Sequence, residues 1–278
     1  MKIKVLKFGG TSVGSVEAIK RSASIICDWS KKSKVIVVLS AMSGETDRLI
    51  NLTKSFSKSP NPVDFDNAIS TGENLSCALM SIYLNNQKTK SKSLHSWQIP
   101  LMTSSEHMKS RILSINKKFL LNELENLDVL VVPGFQGINE RREITTLGRG
   151  GSDTSAVAVA AAMDAECIIY TDVEGVFTTD PNIVPNAKKI NKISYEEMLE
   201  LASQGAKVLQ TRSVELAMRK NTKLSVRSSL KPKKIGTIIT DEKSVLEKNT
   251  VSGIAYTKDE AKITLSRVLD KPGVSSKI

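Results

Sequence analysis

Residues 35–39 read Val-Ile-Val-Val-Leu, an unbroken apolar run in which four of five side chains are β-branched. A strand with one wet face alternates apolar and polar residues. A continuous run predicts a strand covered on both faces, which calls for helices above and below a parallel or mixed sheet. Residues 129–132 and 168–170 repeat the pattern, residues 3–8 read as a short, largely apolar strand, and 237–240 form a short strand-like stretch. Helical spacing lies between these runs. Val16, Ile19, Ala23 and Ile26 mark one helix; residues 62–84 read as another, with Ala68, Ile69, Leu75, Leu79 and Ile82 as its apolar positions. An Ala-rich helix is expected over 155–163, and two helices within 196–218 part near Gly205. The alternation of strand and helix predicts an α/β fold.

The chain has 278 residues, 40% of them hydrophobic, enough for a sizeable core without metals or crosslinks. Its Ala-rich run at 156–163 falls far short of the roughly 20 residues of a membrane span. Lys7 and the Gly9-Gly10 pair interrupt any signal-peptide core, so the expectation is a cytoplasmic protein with no membrane partner. Cys27, Cys77 and Cys167 lie far apart among apolar residues, as reduced, buried thiols do. His95 and His107 stand alone, which argues against zinc, and no metal ligands are expected. The formal net charge of +11 raises the question of nucleic acid, but the lysines are scattered and aromatics make up only 4%. Without a stacking platform the lysines read as solvated surface, and a positive field equally suits anionic small molecules.

Polar segments follow the buried strands. Lys7-Phe8-Gly9-Gly10-Thr11-Ser12 joins a strand to a helix. Two glycines let the backbone approach a phosphate, a helix N-terminus supplies oriented N–H groups, and Lys7 adds a full charge. The same residues fit a plain tight turn, and the spacing is not that of a Walker A loop. Residues 148–155, Gly-Arg-Gly-Gly-Ser-Asp-Thr-Ser, again run into a helix. They read either as a loop with Asp153 or Thr154 as N-cap, or as an anion cradle in which Arg149 pairs with a carboxylate. Residues 40–47 and 171–181 close two more strands, and Thr71-Gly72-Glu73 sets a glycine beside a carboxylate within a helical stretch, at some cost to the helix. Polar groups collected at the C-terminal ends of several strands are where open α/β sheets bind ligands.

Taken in order, residues 7–14 (KFGGTSVG), 40–47 (SAMSGETD), 70–73 (STGE), 133–137 (PGFQG), 146–156 (TLGRGGSDTSA), 171–185 (TDVEGVFTTDPNIVP) and 194–209 (SYEEMLELASQGAKVL) resemble the amino-acid kinase family, and within it the aspartate kinases. The resemblance implies a three-layer αβα sandwich around a mostly parallel sheet. It implies transfer of the γ-phosphate of ATP to the side-chain carboxylate of L-aspartate, giving 4-phospho-L-aspartate, the entry to lysine, threonine, methionine and diaminopimelate synthesis. Lys7 and Asp153 would be the catalytic residues, Lys7 stabilising the transferring phosphoryl group and Asp153 orienting it. Thr46, Glu73, Arg149, Gly150, Gly151 and Ser152 would form the aspartate pocket, Glu73 taking the α-ammonium and Arg149 a carboxylate. Lys7, Phe8, Gly9, Gly10, Ser40, Thr171, Asp172, Phe177, Asp180 and Lys207 would line the ATP site, with Mg²⁺ carried on the nucleotide.

The resemblance also implies a kinase domain over 1–245 and a linker with the start of an ACT regulatory domain over 246–278, where residues 263–278 (ITLSRVLDKPGVSSKI) match less than half of such a module. A homodimer is expected of the full-length form. Glu45 stands where the family often has threonine, which bears on local pocket detail. Two other readings stay open at this point: a relative that phosphorylates glutamate, a carbamate or a nucleoside monophosphate, and a regulatory or nucleic-acid-binding protein suggested by the charge.

Overall fold

The structure is a computed structural model that describes residues 2–98, 101–206, 208–241 and 253–255. The expected domain boundary, the ACT-like segment and the dimer expected through it lie outside these residues, as does Lys207.

Chain order is β1 (Ile3–Phe8), α1 (Val16–Ser30), β2 (Lys34–Leu39), α2 (Glu45–Phe56), α3 (Pro62–Ile69), α4 (Thr71–Asn86), β3 (Ser91–Ser93), β4 (Leu101–Thr103), β5 (Ile112–Ile115) and α5 (Lys117–Glu125). It continues with β6 (Val129–Pro133), β7 (Gln136–Ile138), β8 (Ile144–Thr146), α6 (Gly151–Ala162), β9 (Glu166–Thr171), β10 (Lys192–Ser194), α7 (Tyr195–Ser203), α8 (Thr211–Lys220), β11 (Leu224–Ser228) and β12 (Thr237–Thr240). Eight strands form the main sheet in the order β10-β12-β11-β9-β1-β2-β6-β3. All neighbours pair in parallel except β11 and β12, so the sheet is mixed and mostly parallel.

Period-2 alternation divides each buried strand between two cores. Leu6, Phe8, Val35, Val37, Leu39, Ile168 and Tyr170 pack under α1 and α4. Val5, Ile36, Val38, Leu130, Val132 and Ile169 pack under α5, α6, α7 and α8. This is the αβα sandwich. The division matters for the site: Lys7 follows Leu6 in the alternation and therefore shares Val5's face of β1, the face that α6 covers.

Three expectations are corrected. The stretch 62–84 is two helices broken at Ser70, and Leu75, Leu79 and Ile82 are exposed rather than core; the buried apolar side chains of α4 are Cys77, Met80 and Leu84. The Ala-rich helix begins at Gly151, four residues before the expected start at Ser155, so Ser152 and Asp153 occupy its first turn and Gly150, not Asp153 or Thr154, is the N-cap. A second, four-stranded sheet, β5-β4-β7-β8, escaped the sequence reading because its strands have only three or four residues each.

Asp66 of α3 ties that small sheet to the site. Its carboxylate is fully buried and accepts hydrogen bonds from the backbone N–H of Met108 (3.0 Å), the N–H and hydroxyl of Thr146 (3.0 and 2.6 Å) and His107 Nδ1 (2.9 Å). Thr146 stands two residues before Gly148, so this carboxylate fixes the entry to the glycine loop. Asp66→Ala leaves several buried donors unmet and is expected to cost about 3–5 kcal/mol of unfolding free energy. Urea denaturation checks this; a loss below about 1 kcal/mol would contradict the role given to Asp66.

Candidate active site

The C-terminal ends of β1, β2, β6 and β9 lie side by side, since Phe8 pairs with Leu39 and Tyr170, and Leu39 with Pro133. The loops 9–15, 40–44, 134–135 and 172–176 therefore gather at one edge of the sheet. Lys7 reaches the first turn of α6 there, where its Nζ lies 2.6 Å from Asp153 Oδ1, with both side chains about nine-tenths buried (12% and 10% exposed). Burial strengthens this ion pair, and its charges cost solvation that an anionic ligand beside Lys7 can offset.

The loop before α6 depends on Gly150. Its φ is +74°, and a Cβ there would sit 2.2 Å from Gln210 Cγ. No other residue type fits both the left-handed backbone and the contact. The Gly148 carbonyl accepts the Gly151 N–H at 3.0 Å, and the next amides of α6, those of Ser152 and Asp153, lack helical acceptors. Gly151, Ser152 and Asp153 are buried, and Arg149 is exposed at the loop tip.

Glu73 approaches from the opposite side. It lies in the first turn of α4, 3% exposed, with Oε1 accepting the Ala41 N–H at 3.2 Å. Gly72 makes that reach possible: a Cβ in its place would stand 2.9 Å from the Ala41 side chain. The glycine that weakens the helix in isolation lets α4 press against the end of β2. Glu73 Oε2 is buried without a hydrogen-bond partner among the described residues. Burial pushes the Glu73 pKa up to about 7, although the Ala41 N–H opposes the shift. A half-satisfied, dehydrated carboxylate is a receptor for a cation.

The remaining expected residues are placed as follows. Ser40 directly follows β2, donating its N–H to the Phe8 carbonyl at 3.2 Å, and Thr46 is half-buried in the first turn of α2. The Phe8 ring stacks on Tyr170 at 4.8 Å inside the α1–α4 core, so only its backbone borders the loop. Ser12 is buried and donates to Ser229 Oγ at 3.0 Å, which makes it a strut between the β1 and β11 ends; Ser15 caps α1. Thr171 donates to Asp172 at 3.0 Å, and Phe177 and Asp180 follow in the half-buried segment after β9. Cys77 and Cys167 are buried and Cys27 half-buried, all free thiols; burial first, then the Asp153 charge, push the Cys167 thiol up.

Sequence reasoning missed Asp66 and Arg212. Arg212 donates to the carbonyls of Leu147 (2.9 Å) and Ser110 (2.8 Å), holding the residue before Gly148. No local pattern marks either: each acts on backbone far away in sequence.

An Asp-paired lysine, two glycine loops and a buried, half-satisfied carboxylate thus gather at the switch point of a doubly covered sheet, where open α/β sheets bind ligands. The chain belongs to the amino acid kinase family, whose model matches residues 2–228. Within that family it belongs with the aspartate kinases. It is 49% identical, over its full length, to an aspartate kinase of Pseudomonas putida, of which it spans 68%, and 46% identical over 99% of its length to an aspartokinase of Helicobacter pylori, of which it spans 69%. In structure it is similar to E. coli aspartokinase III in complex with aspartate and ADP, at TM-score 0.76 and 26% identity, covering 87% of this chain and 65% of that one. It is similar to the aspartate kinase of Synechocystis at TM-score 0.76 and 44% identity, covering 87% of this chain and 40% of that one. Among the described residues no helix is long and apolar enough to cross a membrane.

Glu73 gives a pH test. The unfolded chain releases this proton near pH 4.5, whereas the folded chain keeps it to about pH 7. The folded state thus binds more protons in that window, and Glu73's contribution to stability falls as pH rises through it. Glu73→Gln removes the effect. Without ligand, its unfolding free energy relative to wild type should rise by about 1–3 kcal/mol from about pH 5 to pH 8. A difference that stays flat, or moves against the variant, would show that Glu73 is not held in the protonated form.

Proposed function

We propose that this chain binds ATP and L-aspartate at the β1–α6 edge and transfers the γ-phosphate to the aspartate side-chain carboxylate, giving ADP and 4-phospho-L-aspartate. The observation that carries the substrate class is the unpartnered Glu73 oxygen, buried where one end of a bound amino acid would lie. An α-ammonium meets its need for a cation, and Arg149 on the facing loop supplies a bidentate partner for a carboxylate. Thr46, Gly150, Gly151 and Ser152 complete that pocket. Gly9, Gly10, Ser40, the backbone of Phe8, Thr171, Asp172, Phe177, Asp180 and Lys207 form the nucleotide side.

The chemistry asks little of the protein beyond position and charge. A carboxylate oxygen of aspartate attacks the γ-phosphorus as the bond to the β–γ bridging oxygen breaks, and no proton is removed from the nucleophile. Lys7 stabilises the charge on the equatorial oxygens in flight, while Asp153 holds its ammonium in place. The amides of Gly9 and Gly10, and those at the start of α6, aim at the same oxygens. Mg²⁺ carried on ATP would neutralise phosphate charge, with no ligand set of this chain assigned to it.

Protein mixed with ATP, Mg²⁺, aspartate and hydroxylamine should form the aspartyl hydroxamate. Lys7→Ala should reduce turnover about a hundredfold or more. Turnover with glutamate or UMP but not aspartate would overturn the substrate assignment, and a near-normal rate in Lys7→Ala would overturn the role of the lysine.

A further inference from the structure

A cavity of about 320 Å³ opens between β5, α6 and α8. Its wall includes Thr154 but none of the residues assigned to aspartate or ATP. Three guanidinium groups, Arg111, Arg212 and Arg219, line it against one carboxylate, Glu215. Glu215 is already engaged, accepting from Arg219 at 2.7 Å. Arg212 is half-buried, and its two hydrogen bonds run to neutral carbonyls, those of Leu147 and Ser110. Arg111 is exposed beside it, and among the described residues neither Arg111 nor Arg212 is ion-paired. Burial first, and then the Arg111 charge, lower the Arg212 pKa, against the pull of Glu215. Like charges facing one small cavity repel more strongly as water is removed. Arg212 also has donors to spare: two of its five N–H groups hold carbonyls, and those bonds fix the plane of the remaining three.

We propose that this cavity is a second anion site, for a small tetrahedral oxyanion with two negative charges, held by Arg111, Arg212 and Arg219. The guanidinium fork matches the oxygen spacing of such a ligand, while Thr154 only borders the cavity, its hydroxyl turned to the Gly150 carbonyl at 3.4 Å. The carboxylate of Glu215 opposes the anion, and its bond to Arg219 keeps it to one side.

Sulfate is the probe. It is titrated calorimetrically into the protein at constant ionic strength, with chloride as control, before and after saturation with ATP. The expected result is one sulfate per chain that ATP does not displace, because ATP fills the glycine loops and not this cavity. Arg111→Gln combined with Arg219→Gln should weaken sulfate at least about tenfold while ATP binding stays within twofold. Both side chains are exposed, so an unchanged thermal midpoint in chloride confirms that the variant is folded, and Arg111→Gln alone should fall between it and wild type. Sulfate binding that ATP abolishes, that matches the chloride control, or that survives undiminished in the double variant would overturn the proposal. Failure of ATP to bind would show as missing ATP heat, a separate outcome that bears on the catalytic reading alone.

Discussion

An ammonium and a carboxylate 2.6 Å apart, both nearly removed from water, set the terms for the edge of this fold where the strand-end loops gather. Such a pair persists only where the backbone delivers both partners without strain, because removing either leaves a buried charge worth about 3–5 kcal/mol of destabilisation. The delivery is geometric. Parallel pairing of β1 with β2 and β9 brings the strand ends into line, and the alternation along β1 turns Lys7 toward α6. The left-handed Gly150 then starts α6 early enough for Asp153 to fall in its first turn. Asp66 and Arg212 hold the approach to that turn, from α3 and from α8. The small second sheet is the frame on which those two struts meet.

Glu73 shows the opposite arrangement, a charge site left incomplete. One oxygen is satisfied by Ala41 and the other is not. In the free protein the cost appears as a pKa raised by burial; with an ammonium bound, the same dehydration strengthens the contact. The contrast with Asp66 is instructive. Both carboxylates are buried, but Asp66 is surrounded by donors, whereas among the described residues Glu73 has one donor and its other oxygen has none, the difference on which its proposed part in recognition rests.

Much of this was legible in the sequence. The run at 35–39 implied a doubly covered sheet, and the glycine-rich segments fall at strand ends that the pairing brings to one edge. Lys7 stood out as a charge one residue before a glycine pair and Glu73 as a carboxylate beside a glycine, whereas Asp153 read as a helix cap until the family resemblance suggested a role for it. The failures have physical causes. Leu75, Leu79 and Ile82 keep helical spacing on the face of α4 that points away from the sheet, so periodicity alone assigned them to the core. Phe8 sits in a glycine motif but obeys the strand alternation, which sends its ring into the opposite core. Asp66 and Arg212 act on backbone 80 and 65 residues distant, across contacts that no local pattern encodes.

The central claim is that Lys7 and Asp153 act as one unit. A double-mutant cycle on kcat/KM for aspartate, with Lys7→Ala, Asp153→Ala and the pair, tests it most directly. Groups that act together lose most of their effect at the first substitution, so the double variant should be no slower than the worse single within about threefold. Losses that multiply across the two positions would show that the lysine and the aspartate work independently, and would contradict the account.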